Sequence, residues 1–180
     1  GLCRIGSGKA IGPLIEKLRA SRGEPYYPGV LSCFIEMRRP EAVRPLLEEL
    51  CGVDERFHSD ITAALSELLE LDGALDHVPA PVIAAALAPL AVQARSSDPW
   101  SAFRALEVIG RLKSRDGLPA LLDGLSSTEQ LVQAGAVRAL SRIAQPEDIP
   151  ALKAALTRPG FAATEDLAAL IDDIESRGQA

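Results

Sequence analysis

The chain has 180 residues, of which 47% are hydrophobic and only 4% aromatic, and it carries a formal charge of −6. This apolar content can fill a continuous core and excludes disorder as the dominant state; abundant Ala and Leu with few aromatic residues favour close-packed helices over strands. The acidic balance argues against a general affinity for phosphate backbones, and the longest apolar run, Val78 to Val92, is broken by prolines and falls short of the roughly 18 residues a membrane span needs.

In chain order, Ile11, Leu14, Ile15 and Leu18 stand at relative positions 0, 3, 4 and 7 and predict a helix over 9–20. The segment 20–28, with Gly23, Pro25 and Pro28, reads as an extended loop. A helix over 27–38 follows, then a second copy of the apolar set, Val43, Leu46, Leu47 and Leu50, over 41–51. The third pair, 57–71 and 80–95, is irregular, its second helix carrying Ile83, Leu87 and Leu90. Asp98 before Pro99 reads as the cap of a helix over 99–113, since proline at the first helical position forgoes no hydrogen bond. Leu118, Leu121, Leu122 and Leu125 repeat the set over 116–125. Ser127 with Gln130 looks like a capping box opening 128–144, and Ile149, Leu152 and Leu156 give a further copy over 146–156. Thr164 opens a final helix over 164–176, with Leu167, Leu170, Ile171 and Ile174 on one side and Asp172, Asp173 and Glu175 on the other. A hairpin of this length cannot bury its apolar face alone and must stack on its neighbours.

The residues Leu2, Arg4, Ile5, Gly6, Ala10, Ile11 and Leu14, then Ala42, Val43, Pro45 and Leu46, then Ile109, Gly110, Arg111, Leu112 and Leu118, then Ala139, Leu140, Arg142, Ile143, Ile149 and Pro150 resemble HEAT repeats. The resemblance is to the short bacterial type also found in phycobilin lyase subunits. It implies an all-α fold, a right-handed α-solenoid of about five stacked helical hairpins with a C-terminal capping helix. The units fall at about 1–20, 27–51, 57–95, 99–125 and 128–156, with the cap at 164–176, in one domain over 1–180. Because Gly1 falls inside a repeat, the chain reads as part of a longer polypeptide. At the Val-Arg columns of the family stand Val132-Gln133 and Ser101-Ala102, and the turns hold Ser7, Arg39, Ser114 or Gln145 where the family has Asp. A weak Asp-Arg ladder between units is therefore expected.

Catalytic and metal-binding constellations are not expected. His58 and His77 belong to no HExxH pattern and read as surface or loop residues, and Gly6-Ser7-Gly8-Lys9 lacks the strand and the Ser/Thr of a phosphate loop. Cys3, Cys33 and Cys51 form no CxxC pair, read as small apolar residues, and suit a reducing cytoplasm. Glu16, Glu48 and Asp123 occupy one column of the second helices, with Glu49 adjoining, and would form an interrupted acidic stripe for a basic partner. The alternative is that they are ordinary solvated helix residues. Arg4, Arg111 and Arg142 form a basic column at the ends of first helices, where cations suit the helix dipole. Tyr26, Tyr27 and Trp100 are either interface anchors or plugs in the seam between units. The expected function is a non-enzymatic interaction module without a cofactor, binding a protein, a peptide or another part of its own parent chain. The resemblance leaves two rivals, a phycobilin-lyase-like subunit and a DNA-binding solenoid like the alkylpurine glycosylases; acidity counts against the second.

Overall fold

A computed structural model describes residues 8–178, which form helices and turns without a strand among them. The helices are α1 (Ile11–Ala20), α2 (Tyr27–Met37), α3 (Val43–Gly52), α4 (His58–Leu68), α5 (Ala80–Gln93), α6 (Pro99–Arg111), α7 (Leu118–Gly124), α8 (Gln130–Leu140), α9 (Ile149–Leu156) and α10 (Thr164–Gly178). Leu2, Cys3, Arg4, Ile5, Gly6 and Ser7, to which the sequence assigns the first half of the first hairpin, lie outside the described residues.

Several helices begin later than the periodicity predicts because a short 3-10 turn leads into them. Such turns at Pro40–Ala42, Arg115–Gly117 and Pro146–Asp148 precede α3, α7 and α9. A tight i to i+3 turn lets the first backbone groups find partners before the wider α-helical pattern can serve them. The capping box expected from Ser127 and Gln130 does not form: Ser127 Oγ accepts from the N–H of Glu129 at 3.1 Å, and α8 starts only at Gln130. Asp98 caps α6 as expected, its carboxylate accepting from the N–H groups of Trp100 and Ser101 at 3.4 and 3.0 Å. These bonds, Ser101 foremost, hold its pKa below the usual carboxylate range.

The chain divides into two compact units, Gly1–Pro89 and Leu90–Ala180, and the division falls inside α5 at Pro89. Proline there cannot donate the backbone bond that the interior of a helix needs. In the first unit α2 packs against α1 and α4, and α3 packs on α4. Leu18, Phe34, Leu46, Leu47, Ile61 and Leu65 are fully enclosed. Tyr27 is buried, its ring centroid 4.8 Å from that of Phe57. Glu49 is also buried, receiving Arg19 at 3.1 Å and Arg22 at 2.5 Å, so it fastens the end of α1 to α3.

In the second unit α6 lies along α8, α7 packs on α8, and α10 covers α8 and α9 with Leu167, Leu170, Ile171 and Ile174. Gly110 permits the close approach of α6 to α8: a Cβ there would stand 2.7 Å from the Cα of Ala139. Two polar clasps join successive hairpins. Arg115 Nη1 donates to Asp148 at 2.5 Å and to the Ile143 carbonyl at 3.0 Å, while Gln133 donates to the Ser127 carbonyl and accepts from the Ala162 N–H, both at 2.7 Å. One Asp–Arg link between hairpins thus forms in this unit, outside the columns where the family carries its ladder. The arginine sits one residue past Ser114, and the aspartate closes the following turn.

Two further expectations are corrected. His58 is not a surface residue: it opens α4, is buried, and its Nε2 lies 3.2 Å from the Val53 carbonyl. Cys33 is disulfide-bonded, whereas Cys51 is a free, exposed thiol, so the premise that all three cysteines are reduced apolar residues fails for Cys33. No helix among the described residues is long and apolar enough to cross a membrane.

Candidate functional site

The second unit carries a groove of about 520 Å³ whose walls come from three helices. Phe103 stands on α6, Ala134, Val137 and Arg138 on α8 with Ser141 just past its end, and Asp166, Ala169, Leu170 and Asp173 on α10. The floor is therefore apolar and the charges lie at its margins. Gly135 shapes this floor, because a Cβ at that position would stand 2.7 Å from the Phe103 ring. Trp100, capped in place by Asp98 one turn before Phe103, meets that ring edge-on at 5.9 Å and remains 59% exposed. An indole left so open beside an apolar groove is unusual for a residue whose burial is among the most favourable available.

Beside the groove, Glu107 is enclosed; it accepts a hydrogen bond from Arg111 at 3.3 Å and stands at ion-pair distance from Arg138, 3.2 Å, and Arg142, 3.7 Å. Arg111 and Arg142 of the expected basic column are thus drawn to one buried carboxylate, and Arg138 reaches from it to the groove margin. Arg4, the remaining member, lies outside the described residues. The sequence reading missed Glu107, although its mark was present, a lone carboxylate inside the apolar run Ala105-Leu106-Glu107-Val108-Ile109. It also missed the groove, whose walls join residues 103 to 173.

The acidic column is placed as follows. Glu16 is exposed and bonded to Arg19 at 3.0 Å, Glu48 to Arg44 at 2.8 Å, and Asp123 to Arg95 at 2.7 Å. Each carboxylate is accompanied by its own guanidinium, which mutes a bare negative stripe. Tyr26 is exposed, with Lys17 Nζ 4.8 Å from its ring centroid. No group of three or more His, Cys, Asp or Glu side chains able to hold a metal ion occurs among the described residues.

The family pattern of HEAT repeats matches residues 85–171. This stretch is built of HEAT repeats. It takes in α6 to α9 and the part of α10 that carries Asp166, Ala169 and Leu170, so most of the groove is a surface of the HEAT repeats themselves. Over 97% of its length the chain is also similar to the crystal structure of an engineered protein, a structural genomics target, at 19% identity and a TM-score of 0.61, covering 87% of that chain. No curated protein matches the sequence. HEAT repeats are stacked helical hairpins, and residues 85–171, just under half of the chain, form such a repeat array.

Proposed function

We propose that this chain is a non-enzymatic scaffold that holds a partner protein or peptide on its helical surface. The observation that supports this reading is the groove between α6, α8 and α10 with Trp100 open at its edge. Indole and phenyl rings offer large contact areas at small entropic cost, and hot spots of interfaces are enriched in them. Tyr26 and the exposed members of the acidic column, Glu16, Glu48 and Asp123, are further contact candidates, whereas buried Glu49 and Tyr27 act as internal fasteners. The bilin reading relied on Tyr26, Tyr27, His58 and the cysteines; Tyr27 and His58 face inward, so no observation favours it.

A photo-crosslinking amino acid in place of Trp100, expressed in the source cell, tests the proposal. A discrete adduct that disappears when Ala169, exposed in the lining, is changed to Glu is the expected outcome. Adducts indistinguishable from those of the same label at exposed Glu41 contradict a specific surface at the groove.

A further inference from the structure

We infer that the groove between α6, α8 and α10 receives the apolar face of a basic amphipathic helix from a partner protein. This rests on the scaffold reading and adds the chemistry of the partner.

Backbone geometry decides the conformation of the occupant. All three walls are helices, whose amide and carbonyl groups are already bonded along their own axes, so the groove offers no free edge for an extended strand to pair with. A segment that covers Phe103, Ala134 and Ala169, the apolar lining residues still open to water, must satisfy its own backbone, and a helix does so. The cleft then takes side chains spaced at i, i+3 and i+4 in the manner of helix-in-groove recognition.

Charge decides the sign. On α10, Asp166 and Asp173 stand seven residues apart and both line the groove, about 10 Å along one face. Asp173 is shared with Arg177, while Asp166 has no ion-pair partner among the described residues. Glu165 and Asp172 add exposed negative charge to the same helix. The one cation of the lining, Arg138, is drawn towards buried Glu107. A helix with Lys or Arg on the side facing α10, two turns apart, complements this margin, and Trp100 offers a ring face for an additional cation.

The test uses the whole chain and fluorescein-labelled model peptides of about 15 residues, long enough to become helical on binding. One carries Leu at i, i+3, i+4 and i+7 with Lys elsewhere; a second replaces Lys by Glu; a third interrupts the Leu/Lys sequence with central prolines. Trp100 is the sole tryptophan, so its emission reports the groove directly. Saturable binding of the Leu/Lys peptide with a shift in Trp100 emission is expected, weakened roughly ten-fold or more by Asp166→Lys with Asp173→Lys. Both changes are on exposed positions, and circular dichroism checks that helicity is retained.

Equal weakening by Glu41→Lys would reveal mere attraction to an acidic chain and overturn the inference. Preference for the Leu/Glu or the proline-broken peptide would overturn the chemistry while leaving the scaffold reading intact. Binding of none, with a Trp100 adduct still formed in cells, has the same meaning. A concentration-dependent dimer in sedimentation, with Trp100 emission already shielded, would assign the groove to a second copy and likewise overturn the proposal.

Discussion

Asp148 shows how one side chain joins successive hairpins. Burial alone pushes its pKa upward, but the Arg115 guanidinium and the Gln145 N–H outweigh that and hold it below the usual carboxylate value. A carboxyl whose folded pKa is depressed contributes stability above its unfolded value, near 4, and loses it as pH falls through the folded one. Chemical denaturation should therefore show wild type more stable than Asp148→Asn by a constant margin above about pH 5, shrinking as the pH falls below the unfolded carboxyl value. The guanidinium is more than a third exposed, so solvent screening reduces the margin to about 1–2 kcal/mol. A margin independent of pH would show that the ion pair contributes nothing. The sequence could not disclose this pair: Arg115 and Asp148 are 33 positions apart, and no local rule selects Arg115 over neighbouring Lys113. The cap at Asp98 was legible, because capping is a local matter of one carboxylate and the next three amides.

Among elements, the contact of α6 with α8 depends on the absence of a side chain at Gly110. A methyl there would meet the backbone and Cβ of Ala139 at 2.7 Å, where no flexible end can give way. Gly110→Ala should lower stability by about 1–3 kcal/mol, the usual cost of overpacking, read as a lower thermal midpoint. Gly12→Ala is the control, since a Cβ at that position meets nothing within 4 Å and removes backbone freedom from the unfolded chain. Equal effects at both positions would refute the close approach. The existence of α1, α3, α7 and α10 was readable from apolar residues at 0, 3, 4 and 7, because that spacing is what one buried face of a helix requires. Helix starts were less so, since the 3-10 turns before α3, α7 and α9 carry the same residues that an extra helical turn would. The groove was illegible for a different reason. Its apolar lining has the composition of core, and only three-dimensional placement leaves Phe103, Ala134 and Ala169 open to solvent while Val137 and Leu170 are buried.

At the scale of each unit, hairpins join the next one along the chain through contacts spanning about thirty residues. Gly110 with Ala139, Gln133 with Ala162, and Arg115 with Asp148 are three such contacts in the second unit, and Arg19 with Glu49 is the counterpart in the first. Within the second unit, stacking of this kind forms the groove between α6, α8 and α10. The most direct test is a nuclear Overhauser spectrum of the isotope-labelled chain in solution. The account predicts a strong cross-peak between the Gly110 α protons and the Ala139 methyl group, and its absence, with cross-peaks confined to single helices and the turns between them, would contradict it.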